Sequence, residues 1–163
     1  MCAPPSPSPL PAACLRCTIT ARQRCGRGLL RLHDYWTTKR GDRRFPARRD
    51  IDPIELGTLL PHVFLIDVLP AAPYFRYRLT GTTVDEIHGQ YLTGKTPRDI
   101  RTPEIAIAAE SQCRQVLLTG SPGCDHVTLM AQDQSYWHFE RLVLPLSDDG
   151  TSINMLLCGI YAT

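Results

Sequence analysis

Five short stretches with strand-like patterning follow a fixed order along the chain, and this order most constrains the fold. Two of them precede a helical middle section and three follow it. They cover residues 63–69, 74–80, 125–130, 136–145 and 153–161. Strands grouped in this way around helices predict an α+β domain with one antiparallel sheet, and not an array of alternating strands and helices. No internal repeat is visible.

Short polar or proline-containing segments separate neighbouring strands. Pro-Ala-Ala-Pro at residues 70–73 predicts a hairpin between the first two strands. Polar turns are expected at residues 131–135 and 147–152, between the last three strands. The pattern therefore predicts two sequential strand units joined through helices.

Two helices are expected before the first strand. Residues 29–40 place Leu29, Leu32 and Trp36 on one face at helical spacing, and Gly41 ends this helix. A short second helix begins at Asp52-Pro53, where the aspartate caps the helix and the proline occupies its first turn. Glu55 is expected to reach back to the amide of the capping residue.

Two further helices are expected between the second and third strands. Thr83 and Glu86 have capping-box spacing, and Gly89 follows them at a distance that suits a left-handed helix end. A longer helix follows Pro103, has an apolar stripe that includes Cys113, and ends at Gly120. These helices are expected to cover one face of the sheet.

Length and hydropathy indicate one globular domain without a membrane span. A chain of 163 residues with 43% hydrophobic residues buries one core. The longest apolar run, at residues 63–69, is interrupted by Asp67 and is far shorter than the roughly 20 residues needed to cross a bilayer.

The first 28 residues differ in composition from the rest. They are rich in proline and serine and then in cysteine and arginine, without the pattern of a signal peptide. Residues 1–49 carry eleven basic and two acidic residues, a net charge of +9, against −7 for residues 50–163. We therefore expect a disordered leader at 1–28, a cytoplasmic domain at 29–163 whose first helix spans 29–41, and no nucleic-acid partner.

The seven cysteines indicate neither a disulfide framework nor a metal site. An odd number in a cytoplasmic chain argues against structural disulfides. Cys14 and Cys17 have the spacing of half a zinc site, but no recognisable second half follows. No metal site is predicted.

Several segments together resemble a family of short, stand-alone bacterial PAS-like proteins. The resemblance extends over about residues 29–161 and leaves out residues 1–28. Its matching segments are Asp34-Tyr-Trp, Arg48-Arg-Asp-Ile-Asp-Pro53, Leu59-Leu-Pro-His-Val-Phe-Leu-Ile-Asp-Val68, Phe75-Arg-Tyr-Arg-Leu-Thr-Gly-Thr82 and Leu92-Thr-Gly94. What it implies is a five-stranded PAS sheet with helices on one face, in which the C-terminal strand lies next to the first.

The function implied by this resemblance is signalling without catalysis. A PAS-like domain acts by binding a small molecule or a partner protein, and the space between helices and sheet is the expected ligand cavity. The resemblance supplies no shared catalytic residues and no defined cofactor. Because signals then pass by association, we expect a protein signalling partner or a homodimer formed through the apolar face of the first helix, which includes Trp36.

Six residues are candidates for ligand contacts. Aromatic rings on strands offer flat apolar surfaces, and a histidine at a helix end is a candidate haem ligand, here His88. On the fourth strand, one face carries Trp137, Phe139 and Arg141 and therefore mixes apolar and polar groups. The candidate set is Tyr77, His88, Tyr91, Trp137, His138 and Phe139.

An alternative function is nucleotide binding. Residues 89–96, Gly-Gln-Tyr-Leu-Thr-Gly-Lys-Thr, match the phosphate-loop pattern, in which Lys95 would neutralise phosphate and Thr96 would hold magnesium. That motif normally follows a buried strand and opens a helix within parallel βαβ units, whereas here a short helix precedes it. A third alternative is a small hydrolase that wraps a helix in antiparallel strands, although no serine lies in a nucleophile-elbow setting.

Overall fold

A five-stranded antiparallel sheet forms the centre of the molecule. The computed structural model describes residues 25–130 and 136–163, and the strand order is β2-β1-β5-β4-β3. The strands are β1 (Val63–Val68), β2 (Phe75–Thr80), β3 (Gly123–Met130), β4 (Tyr136–Leu146) and β5 (Met155–Ala162). β5 pairs with both β1 and β4. This confirms the prediction that the C-terminal strand lies next to the first strand.

Within the described residues, four α-helices accompany the sheet, close to the positions that the sequence predicts. They are α1 (Arg27–Arg40), α2 (Pro53–Leu56), α3 (Thr82–His88) and α4 (Pro103–Thr119). Short 3-10 turns lie at Arg48–Asp50, Gly57–His62 and Pro97–Asp99. Left-handed glycines end α3 at Gly89 and α4 at Gly120, as expected.

The two faces of the sheet carry separate cores. Alternate residues of each strand point to opposite faces, so one set packs under α3 and α4 and the other under α1 and α2. We call these the inner and outer faces. The inner core includes Phe64, Ile66, Phe75, Tyr77, Phe139, Val143, Leu156 and Ile160 from the strands.

Helix α1 packs closely on the outer face, and this corrects the expectation that its apolar face is free for dimerisation. Leu29, Leu32 and Trp36 are buried against the sheet, and Trp36 Nε1 donates a 2.9 Å hydrogen bond to the carbonyl of Pro145. Gly159 of β5 permits the approach, because a Cβ there would lie 2.6 Å from Leu32 Cδ2. The apolar face is thus used within the chain.

Two predicted capping contacts are wrong. Asp52 caps α2 as expected, but its amide donates to the Tyr35 hydroxyl at 2.8 Å, and Glu55 instead forms an ion pair with Lys39 at 2.5 Å. Helix α3 begins at Thr82 with Gly81 as its capping residue, so Thr83 is already inside the helix. In both places tertiary contacts, which sequence spacing does not reveal, determine the cap.

A disulfide joins Cys25 to Cys124, contrary to the expectation of no structural disulfide. It links the segment just before α1 to the edge strand β3, and the two cysteines are 99 positions apart in sequence. Nearby, the amide of Gly26 donates a 2.6 Å hydrogen bond to Glu140 Oε2 on β4. Disulfides are rare in reducing cytosol, so the cytoplasmic location stays a prediction.

Three further expectations concern a membrane span, the leader and one turn. Within residues 25–130 and 136–163, no helix has the length and apolarity that a bilayer span requires. Residues 1–24 of the expected leader at 1–28 lie outside the described residues, as does the expected turn at 131–135. Residues 25–28, which fall within the expected leader, include Cys25 of the disulfide and the start of α1 at Arg27.

Candidate functional site

Polar side chains from five elements converge inside the inner core. We call this group, formed by Tyr77, His88, Gln112, Cys113, Arg141 and Cys158, the core polar cluster. Its members come from β2, α3, α4, β4 and β5. Buried polar groups cost free energy unless they are satisfied, so such a cluster in an apolar layer is a candidate site.

Arg141 is the charged member of the cluster. It lies on β4 between Phe139 and Val143, on the same face, and only 4% of its surface is exposed. Its Nε donates a short hydrogen bond to Gln112 Oε1, whereas its Nη2 is shut off from solvent and has no hydrogen-bond partner in the described residues. A permanently charged group is therefore buried with part of its hydrogen-bonding capacity unused.

Gln112 fixes the position of this guanidinium. Its Nε2 donates to the carbonyls of Gly123 at 3.2 Å and Arg141 at 3.1 Å, so the amide is anchored to both β3 and β4. The anchored amide leaves its oxygen directed at Arg141 Nε. The arginine is thus held by α4 in one orientation, as binding residues in preorganised sites are.

His88 is the second member with an unused polar atom. It is the last residue of α3, and its Nδ1 is buried without a hydrogen-bond partner among the described residues. Burial, together with the positive charge of Arg141, lowers the pKa of His88 from 6.5 to about 4, against an opposing effect of Asp85. His88 is therefore neutral at physiological pH.

The lowered pKa of His88 predicts a loss of stability in mild acid. Below pH 6.5 the His88 imidazole becomes protonated in the unfolded chain, whereas in the folded chain it stays neutral until about pH 4. The free energy of unfolding is therefore highest above pH 6.5 and decreases as the pH falls from 6.5 to about 4. We expect a His88→Gln variant to reduce this loss by about 2–3 kcal/mol. Urea titrations at pH 7 and pH 4.5 measure it, with exposed His138→Gln as control. Equal losses in wild type and His88→Gln contradict the assignment.

The two thiols and the phenol of the cluster are held in their neutral forms. Burial raises the pKa of Cys113 to about 12 and raises the pKa of Cys158 and of Tyr77 well above their usual values. A buried thiol with a raised pKa is a poor nucleophile. These residues therefore contribute shape and polarity to the site.

The structure brings together only half of the six predicted ligand contacts. Tyr77, His88 and Phe139 lie in or beside the core polar cluster. Tyr91 is 64% exposed, Trp137 is 50% exposed near Phe139, and His138 points to the outer face beside Thr128. The roles of all six stay predictions.

Sequence reasoning missed two central residues, Arg141 and Gln112. The alternation on β4 already placed Arg141 on the face of Phe139, which was a usable signal. Gln112 gave no such signal, because a glutamine beside the apolar stripe of a helix usually faces solvent. Its burial follows from the way α4 crosses β3 and β4.

An open apolar groove lies in a different place, beside α2 and the 57–62 turn. Its volume is about 450 Å³, and its walls are mostly apolar. The apolar lining includes Leu56, Leu60, Val63, Leu65, Leu79 and Leu157. The core polar cluster, in contrast, lies in the inner layer, where the ligand cavity is expected from the sequence.

The loop at residues 89–96 is not built as a phosphate loop. The Gly94 amide donates to the Tyr77 carbonyl at 2.7 Å and the Lys95 amide donates to the Leu92 carbonyl at 2.8 Å, so these amides are occupied within the chain. The Thr96 hydroxyl donates to Asp99 at 2.9 Å. Since the surrounding sheet is also antiparallel, the nucleotide-binding alternative lacks its structural context.

Comparison with solved structures gives the same fold. A light-oxygen-voltage domain studied with a flavin analogue superposes with a TM-score of 0.52 at 17% identity, over 68% of this chain and 82% of the other. VqmA bound to DPO superposes with a TM-score of 0.51 at 20% identity, over 68% of this chain and 56% of the VqmA chain. VqmA in a Vibrio cholera VqmA–ligand–DNA complex superposes with a TM-score of 0.51 at 20% identity, over 67% of this chain and 49% of the VqmA chain. The chain thus spans about half of the VqmA chains.

Comparison at the sequence level identifies the family. No curated protein matches the chain in sequence. The family model described as PAS domain, in contrast, matches residues 26–162, which is nearly the whole described region. The sheet order, the helices on the inner face and this match agree, and the chain belongs to the PAS domain family.

Proposed function

We propose that this PAS domain is a sensory module that binds a small organic molecule at the core polar cluster and performs no catalysis. The observation that carries the proposal is the convergence of polar groups from five elements beneath α3 and α4, two of whose buried polar atoms have no hydrogen-bond partner among the described residues. A few directed polar groups within an apolar surround are typical of small-molecule sites. The VqmA structures, described as ligand-bound, are compatible with such a role in this fold.

Native mass spectrometry of the purified chain tests this proposal. We expect a small molecule to co-purify, or a metabolite library to yield compounds that raise the melting temperature of the protein. Phe139→Ala, next to the cluster, should weaken that effect, whereas Tyr91→Ala on the exposed loop should not. Protein that carries no small molecule and responds to no compound contradicts the proposal.

We further propose that the domain associates with a second copy through the apolar groove beside α2. The α1 face is occupied within the chain, whereas Leu60 and Leu79 line the groove and remain partly exposed. Ile54, which adjoins groove residue Pro53, is 88% exposed. Exposed apolar side chains gathered at one groove favour an interface, and signals then pass to protein partners by association.

A pair of charge substitutions tests self-association. We expect wild-type protein to sediment as a dimer and Leu79→Glu to sediment as a monomer, because a carboxylate in the interface must be desolvated. Ile107→Glu, which alters the exposed surface of α4, is the matched control and should leave the dimer intact. If sedimentation velocity shows the wild-type protein to be a monomer at all concentrations, the proposed self-association is wrong.

A further inference from the structure

Arg141 is a buried positive charge for which the described chain supplies no negative partner. Among residues 25–130 and 136–163, no carboxylate lies within the 4.0 Å that defines an ion pair with its guanidinium. An arginine cannot escape burial by losing its proton, unlike a lysine or a histidine. A buried charge in this position is therefore expected to have a partner from outside the described part of the chain.

Three carboxylates on the neighbouring elements form no ion pair with Arg141. Asp85 of α3 accepts hydrogen bonds from the Thr80 hydroxyl at 2.8 Å and the Leu92 amide at 3.1 Å. Glu110 of α4 is paired with Arg114 at 2.6 Å. Asp125, the cross-strand neighbour of Arg141 on β3, is exposed and forms no ion pair with it. None of the three neutralises the buried guanidinium.

The surroundings of Arg141 restrict the size of the anion's charge. The core polar cluster contains no second cation, because His88 is neutral and the other members are uncharged side chains. A dianionic phosphate normally needs several positive or backbone donors, whereas one guanidinium matches one carboxylate by two parallel hydrogen bonds. The remaining surface is apolar, with Phe64, Phe75 and Ile105 in the same core.

We propose that the ligand of this domain is a monocarboxylate with an apolar body, and that its carboxylate pairs with Arg141 while His88 Nδ1 makes a second polar contact. Gln112 acts as a positioning residue that holds Arg141 Nε. The inference rests on the proposed ligand-binding function and adds the chemical class of the ligand. It also gives a role to an arginine at a position where an apolar residue would pack.

Matched pairs of probes separate the charge from the apolar body. Hexanoate with hexanamide, and phenylacetate with phenylacetamide, differ little in shape, and inorganic phosphate tests a bare anion. We expect calorimetric titration of the full chain to detect the carboxylates and neither the amides nor phosphate. Negative-ion mass spectrometry of molecules that co-purify with the wild-type protein should find a carboxylic acid.

Substitutions at Arg141 supply the second readout. Arg141→Met retains an unbranched side chain and should weaken carboxylate binding at least about 30-fold, and Arg141→Lys should recover only part of the loss. The ligand-free Arg141→Met protein should melt no lower than ligand-free wild type, because an unpaired buried charge is removed. Arg114→Met, at an exposed arginine of α4, is the matched control and should change neither property.

The outcomes distinguish this inference from the function on which it rests. Amides that bind as well as carboxylates, or binding unchanged by Arg141→Met, overturn the carboxylate assignment and leave the ligand-binding function in place. A co-purified molecule without an acidic group would likewise overturn the carboxylate assignment and leave the ligand-binding function in place. Protein that binds none of the probes and carries no small molecule overturns both.

Discussion

Replacing Cys25 with serine is expected to lower the free energy of unfolding by about 3–4 kcal/mol and the melting temperature by roughly 10 °C. The Cys25–Cys124 disulfide closes a loop of 99 positions, and long closed loops restrict the unfolded chain most. In the folded chain the bond ties the start of α1 to the edge strand β3. Thermal and urea unfolding measure the effect, in a background where Cys2, Cys14 and Cys17 are serine to prevent exchange.

Non-additivity provides the control for the disulfide. Cys124→Ser should cost as much as Cys25→Ser, and the double variant should cost no more than either, because the same bond is lost in all three. Dithiothreitol should destabilise only the protein that retains both cysteines. The buried thiols of Cys113 and Cys158 stay in place throughout. A melting temperature of the parent protein that reduction does not change argues that the bond does not form.

Replacing Trp36 with alanine is expected to cost about 3–5 kcal/mol of unfolding free energy. This ring is the largest buried side chain on the sheet-facing side of α1, and its removal leaves a cavity between α1 and the outer core. It also leaves the Pro145 carbonyl without its 2.9 Å hydrogen bond. Chemical denaturation followed by circular dichroism measures the change.

Two comparison variants separate the contributions of Trp36. Trp36→Phe keeps most of the apolar volume and removes the hydrogen bond, so it should cost only about 1–2 kcal/mol. Tyr91→Ala, at an exposed aromatic residue, should stay within about 0.5 kcal/mol of wild type. If Trp36→Ala is as mild as Tyr91→Ala, α1 does not pack on the sheet as described.

The secondary structure was predictable because local signals and tertiary structure agree in most of this chain. Glycines at positions 41, 89 and 120 end helices as predicted, and alternating residues on β2 separate a buried Phe75 and Tyr77 from an exposed Arg76. The predictions failed where partners lie far away in sequence. Glu55 pairs with Lys39, and Cys25 finds Cys124, contacts that no local pattern contains.

The candidate site was predictable only in part, for a related reason. Tyr77 and Phe139 were identified because aromatic residues on strands mark an apolar layer. Arg141 was assigned to the correct strand face, but its burial depends on α4 lying over β4 and supplying Gln112. Whether a charged side chain is buried depends on tertiary structure. The strand face of Arg141 could therefore be predicted from the sequence, but its place in the site could not.

The central position of β5 governs the order in which the sheet is completed. β1 and β2 form one hairpin and β3 and β4 another, but the two hairpins share no pairing, and only β5 bridges them. During synthesis both hairpins are made before β5, so they cannot join into one sheet until β5 has been synthesised. Folding is therefore expected to be slow compared with that of a helical bundle of this size, because the β1–β5 pairing that joins the two hairpins connects strands far apart in sequence. Proteolytic removal of β5 would separate the molecule into two unsupported hairpins.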